Sequence, residues 1–228
     1  MNNSEKTILR NQYLGSNAKN YDNAREISDR HKAEVSIIKD YITQVKPKRI
    51  LDCPCGTMRW IDIYGSFDVF VLGVDLSEDM IEQAKTKIIE KGLENKISFL
   101  QSDILENNII LSEEGFDMVL CVRFLNWLPY KNALKVIASL DKYSNSFLLI
   151  GCTVVPENVS LVNKIKAKCC LIMDNIKRIK YKSAKRYVHS EKEFESFLET
   201  INWKIVEKKI TMNNMYAVNY LYLFKRNQ

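Results

Sequence analysis

Arg49-Ile50-Leu51-Asp52-Cys53-Pro54-Cys55-Gly56-Thr57-Met58-Arg59-Trp60 is followed, after a short spacer, by Val69-Phe70-Val71-Leu72-Gly73-Val74-Asp75-Leu76-Ser77 and then by Glu78-Asp79-Met80-Ile81-Glu82-Gln83. Each apolar run ends in an acid, Asp52 in the first and Asp75 in the second. Between them lies a turn carrying Pro54, Gly56 and Thr57. A buried parallel strand delivers its last residue to the carboxyl edge of a sheet, where ligands bind. The turn lets backbone N–H groups approach a ligand, and a carboxylate closing the second strand can accept both hydrogen bonds of a ribose diol. Strand, tight turn, helix, strand, acid is the plan of a nucleotide-binding α/β half.

The segment Leu51-Asp52-Cys53-Pro54-Cys55-Gly56-Thr57 resembles the first motif of class I S-adenosylmethionine-dependent methyltransferases, and Gly73-Val74-Asp75-Leu76-Ser77 with Met80 resembles their second. Two departures stand out. Pro54 replaces the usual first glycine, and Met58 the usual third. Pro54 can hold a turn without a positive φ. Met58 either fills space normally left for the methionine part of the cofactor or packs on it. A plain dinucleotide-binding Rossmann domain is the rival reading, and it suffers more from the loss of two glycines.

The resemblance implies a seven-stranded, Rossmann-like, mostly parallel sheet with helices on both faces, an antiparallel last strand and a helical insertion after strand five. Residues 1–228 are read as one domain, with an N-terminal arm and helix over 1–46 and a substrate-side insertion over about 156–188. It also implies S-adenosyl-L-methionine as cofactor, with Asp52, Cys53, Pro54, Gly56, Thr57, Met58, Asp75, Leu76 and Met80 around it. After the third strand, Asp103 and Ile104 match the positions that accept from the adenine amino group and pack on its ring. Val122, at the end of strand four, Trp127, after it, and Tyr21 and Arg25, on an N-terminal segment that folds over the cofactor in such enzymes, complete the expected set.

The rest of the chain follows from periodicity. Ile27, His31, Val35, Ile38, Ile42 and Val45 recur at helical spacing up to Pro47. Strands are expected over Arg49–Cys53, Val69–Val74, Ile97–Leu100, Phe116–Val122 and Ser146–Thr153, then over Lys204–Thr211 and Asn219–Phe224. Helices are expected over Arg59–Tyr64, from Ser77 to Lys91, over Asn132–Leu140 and after Ser190. Leu161, Val162, Ile165, Cys169, Ile172, Ile176 and Ile179 mark a further helix whose polar positions are basic: Lys164, Lys166, Lys168, Lys177, Arg178 and Lys180, with Lys182 just beyond. That helix is expected to pack its apolar stripe on the sheet and present its lysines to an anionic acceptor. The alternatives are a solvated basic face and a membrane-surface helix, and the last requires the stripe to remain exposed.

Composition bounds the function. The chain has 228 residues, 46% of them apolar, with no apolar run near the ~20 residues of a membrane span. The N-terminus lacks the apolar core of a signal peptide, so a cytoplasmic location is expected. Six cysteines suit a reducing compartment, and Cys53-x-Cys55 and Cys169-Cys170 lack zinc spacing, so no metal is expected. The net charge of +6 favours an anionic partner. Nothing resembling the segments that present a flipped base follows strand four, which argues against nucleic acid. Methyl transfer is an in-line displacement in which the protein supplies position and a dry site. Asn126, His31 and His189 are the candidates for acid, base or orienting roles. The expected activity is methyl transfer to a small-molecule, glycan-linked or lipid-linked acceptor. The alternatives are a non-catalytic binding or scaffold protein of the same fold, or an RNA methyltransferase. The oligomeric state has no signature in the sequence.

Overall fold

The computed structural model describes residues 28–106, 115–213 and 217–227, together with Glu5, Thr7, Ile8 and Asn11. Helix α1 (Asp29–Val45) precedes β1 (Arg49–Asp52), α2 (Ile61–Gly65) and β2 (Phe70–Asp75). Then come α3 (Glu78–Lys91), β3 (Ile97–Gln101) and β4 (Phe116–Cys121). A 3₁₀ turn (Leu125–Trp127) leads to α4 (Tyr130–Asp141), β5 (Ser144–Val155) and α5 (Leu161–Lys180). The chain closes with β6 (His189–Ser190), α6 (Glu191–Thr200), β7 (Trp203–Asn213) and β8 (Val218–Arg226).

The strands form one sheet in the order β3-β2-β1-β4-β5-β8-β7, with β6 beside β5. β1 to β5 run parallel, and β8 lies antiparallel to both β5 and β7. The order of strand addition reverses between β1 and β4, which lie side by side and parallel, so the carboxyl ends of β1, β2 and β4 border the crevice where such sheets bind ligands.

Strand alternation builds a core on each face. Ile50, Val71, Met118, Leu120 and Leu149 point to the face covered by α1, α2 and α3. Leu51, Val74, Val119, Cys121 and Ile150 point to the face covered by α4 and α6. Period-two alternation is what lets a sheet buried on both sides feed two cores. Caps fix the helix ends. The Ser28, Ser77, Ser160 and Ser190 hydroxyls each accept from a backbone N–H in the first turn of the following helix. Gly92 ends α3 at φ 64°, where a side chain would be strained.

The orientation of α5 differs from expectation. Its apolar stripe does not pack on the sheet. None of its residues is buried, and its half-buried positions are Asn163, Ala167, Leu171, Asp174, Asn175 and Arg178. The inward positions meet a polar crevice, so most of the apolar residues turn outward.

Candidate active site

The turn after β1 is held by backbone bonds to both neighbouring strands. Cys53 N–H donates to the Leu120 carbonyl at 3.0 Å and Cys55 N–H to the Val74 carbonyl at 2.9 Å. Gly56 takes φ 55°, and its N–H donates to Asp75 Oδ2 at 2.8 Å. Ser77 N–H donates to Asp75 Oδ1 at 2.9 Å. Each oxygen of Asp75 has thus accepted one bond and keeps acceptor capacity for another. Burial raises the Asp75 pKa, opposed by these N–H groups.

A cavity of about 520 Å³ opens over this turn. Cys53, Pro54, Gly56 and Thr57 line it from β1, and Asp75, Leu76 and Met80 from β2 and α3. Asp103 and Ile104 close it beyond β3, and Val122 beyond β4. Asp103 is oriented by the Leu105 N–H, which donates to its Oδ1 at 2.8 Å. Ten of the expected cofactor residues therefore share one cavity, together with Arg59, Trp60, Ser77 and Phe124, which sequence reasoning passed over.

Three expected residues lie elsewhere. Asp52 is sealed beneath the turn, where the Tyr64 hydroxyl donates to its Oδ2 at 2.9 Å. Burial, together with the nearby Asp75 charge, raises its pKa to about 7 despite the Tyr64 bond. Met58 is wholly buried at φ 53° and points into the core. It occupies the space over Gly73: a Cβ there would stand 2.7 Å from the Met58 methyl and 2.9 Å from the Phe99 ring. Met58 thus takes a left-handed backbone, and its side chain leaves the cavity clear. Trp127 lines a second cavity instead. Tyr21 and Arg25 lie outside the described residues.

The second cavity, about 980 Å³, adjoins the first at Arg123, which lines both. Its walls come from distant parts of the chain: Arg30 on α1, Asn126 and Trp127 on the 3₁₀ turn, Thr153 on β5, Lys164 and Lys168 on α5, and Asn219 on β8. Asn126 Nδ2 donates to the Thr153 hydroxyl, Thr153 N–H to Asn126 Oδ1 at 3.1 Å, and the Thr153 hydroxyl to Asn219 Oδ1 at 2.5 Å. This network fixes the Asn126 amide. His189 also lines the cavity and is buried, which lowers its pKa. Its Nε2 is 3.1 Å from the Leu125 carbonyl, which only accepts, so the neutral ring carries its proton there and its lone pair on Nδ1. His31 lines neither cavity and stacks on Trp60 with centroids 5.7 Å apart.

Glu34 was missed from sequence. Its carboxylate is buried, with Arg30 Nε donating to Oε1 at 2.8 Å and Arg123 Nε to Oε2 at 2.6 Å. It anchors two guanidinium groups at the cavity wall, one of them at the junction with the first cavity. The available signal was an acid on the apolar face of α1, one turn after Arg30.

The arrangement pairs a carboxylate with spare acceptor capacity, in a half-apolar cleft, with a larger, cation-rimmed chamber. Residues 50–144 match a family described as a methyltransferase domain. This is the class I methyltransferase fold. The chain superposes on magnesium protoporphyrin IX methyltransferase from Synechocystis PCC 6803 with bound SAH, at a TM-score of 0.73 and 18% identity, covering 97% of this chain and 100% of that one. An S-adenosylmethionine-dependent methyltransferase from Clostridium acetobutylicum superposes at 0.61 and 15% identity, covering 86% of this chain and 92% of that one. In sequence, the ubiquinone biosynthesis O-methyltransferase of Haemophilus ducreyi is 32% identical over 95 residues, 40% of this chain and 39% of that protein. That alignment thus spans about two fifths of the curated relative. The family match runs from β1 to the first residue of β5, so α5 and much of the second cavity lie outside it.

Proposed function

We propose that this protein is an S-adenosylmethionine-dependent methyltransferase for an anionic small-molecule acceptor. The observation that carries the reading is the Asp75 carboxylate, fixed by the Gly56 and Ser77 N–H groups at the wall of a cavity that meets a second, cationic one. The residues fit the cofactor. The first cavity lies in the size range of small-ligand sites. Asp75 retains capacity for two hydroxyls, Asp103 stands at the cavity wall for the adenine amino group, and Ile104 and Met80 supply apolar surface for the ring. When bound, the cofactor supplies an electrophilic methyl group. The rest is positioning, which can contribute roughly 7–11 kcal/mol when reactants are well aligned. Arg123 marks the border across which the acceptor meets that methyl, and Arg30, Lys164, Lys168 and Arg186 give its chamber a positive rim. The neutral His189 ring is the nearest thing to a base along that wall, useful where the acceptor atom loses a proton. The names of the two relatives, one of a porphyrin and one of a quinone pathway, support a small molecule as acceptor.

Titration calorimetry with S-adenosylmethionine tests the cofactor assignment. Micromolar binding is expected for the wild type. Asp75→Ala should weaken it ~10–100-fold, as the loss of one or two charge-assisted hydrogen bonds implies. Equal affinity in both proteins removes Asp75 from the site.

A further inference from the structure

We propose that α5 docks this protein on an anionic lipid surface, a role independent of the methyl-transfer reading. The helix is 20 residues long, or about 30 Å. Leu161, Ile165, Ile172, Ile176 and Ile179 form the centre of its outward face, with Val162 and Met173 on one shoulder. These side chains are 50–73% exposed. A continuous apolar stripe of this length on a protein surface marks a contact with something apolar.

The charges around the stripe select the occupant. Lys166, Lys177 and Lys180 lie on one flank, all exposed, and Lys168, on the other, stands where the stripe borders the second cavity. Asp174 is the sole acid of the helix, and it is turned inward, where Arg178 Nε donates to it at 2.8 Å. A second copy of the chain would set lysines against lysines with no outward acid on the helix to answer them. An anionic bilayer surface satisfies both features at once: isoleucines enter the acyl boundary while the lysine stems reach back to headgroups. No helix among the described residues is long and apolar enough to cross a membrane, so the contact is peripheral.

The inward face holds the helix in this attitude. Asn175 Nδ2 donates to the Arg186 carbonyl at 2.9 Å, and Arg186 N–H returns to Asn175 Oδ1 at 2.7 Å. Arg178 and Arg186 each lie 5.5 Å from the centroid of the Trp127 ring. Lys164, Ala167, Leu171 and Asp174 line the second cavity. One helix therefore has a wall of the chamber on one side and the proposed lipid contact on the other.

Co-sedimentation with vesicles tests this directly. Wild type is expected to bind vesicles of phosphatidylcholine mixed with phosphatidylglycerol at least ~10-fold more tightly than phosphatidylcholine alone, and to lose that binding as salt rises. The triple variant Ile165→Ser, Ile172→Ser, Ile176→Ser should bind the mixed vesicles at least ~10-fold more weakly. Its melting temperature and S-adenosylmethionine affinity should stay at wild-type values, because the replaced side chains are exposed. Lys166→Gln, Lys177→Gln, Lys180→Gln should abolish the preference for anionic lipid. Three results overturn the proposal: no binding to the mixed vesicles, binding indifferent to the triple serine variant, or a wild-type dimer in light scattering that those serines turn into a monomer.

Discussion

The two cavities meet at Arg123 but are built in opposite ways. The first is made where a few short, consecutive segments turn at the carboxyl edge of the sheet, and its key groups are backbone N–H donors and the strand-end acid Asp75. The second is made by side chains from α1, the 3₁₀ turn, β5, α5, the segment before α6, and β8, brought together only by tertiary folding. Backbone-built sites depend on turn geometry, so close neighbours in sequence specify them. Side-chain-built sites depend on the whole fold, and a chain can rebuild them without touching the turn. The family match respects this division, covering the strands and turns of the first cavity and stopping at Ser144, before most of the second.

The largest effect separating the cavities should come from Glu34→Ala. It leaves Arg30 and Arg123 without their shared buried carboxylate, and breaking a buried pair costs about 3–5 kcal/mol. The melting temperature should fall by roughly 6–20 °C. In the folded fraction, S-adenosylmethionine affinity should stay within about twofold of wild type, since Glu34 lies outside the first cavity. A large loss of that affinity would show the two cavities to be one mechanical unit.

A second effect lies beneath the first cavity and appears as a pH dependence. Asp52 has its pKa raised from 3.8 to about 7 by burial, so it favours the folded state below about pH 4, and that contribution is lost as pH rises to 7. At 1.36 kcal/mol per pH unit, ionisation carries a penalty of up to roughly 4 kcal/mol. Asp52→Asn keeps an acceptor for the Tyr64 hydroxyl and cannot ionise. Its melting temperature should exceed that of the wild type at pH 8, and the gap should close by pH 4. Parallel melting curves across that range would mean that Asp52 titrates normally in the folded protein.

The smallest of these effects concerns the departure from the usual turn. Gly73→Ala places a methyl against Met58 and Phe99, and overpacking of this kind costs about 1–3 kcal/mol. Combining it with Met58→Ala should recover part of that cost in a double-mutant cycle, while S-adenosylmethionine affinity remains unchanged. Altered affinity in Gly73→Ala would bring Met58 back to the cavity wall.

Much of this was legible in the sequence, and the limits have physical reasons. The strand-end acids, the turn glycine, Ser77 and Gly92 announced β1, β2 and both ends of α3, because each is a local conformational demand. Met58 was read as a threat to the cavity because spacing places a residue in a turn without saying which way its side chain leaves. The structure sends it toward Gly73, a glycine whose missing side chain makes the room. Asp52 was grouped with the cavity because strand-end acids commonly face ligands, yet the Tyr64 hydroxyl holds it below. The stripe on α5 was legible as a stripe, but periodicity does not tell inward from outward. Glu34 was overlooked because its partners sit four residues upstream on the same helix and 89 residues away beyond β4.

The central claim is that the two cavities form one reaction site divided at Arg123, and a crystal structure of the complex with S-adenosylmethionine tests it most directly. The account predicts the ribose hydroxyls on Asp75, the adenine beside Asp103 and Ile104, and the sulfonium methyl facing Arg123 and the second cavity. A cofactor bound with its methyl turned away from Arg123, or seated in the second cavity, would contradict it.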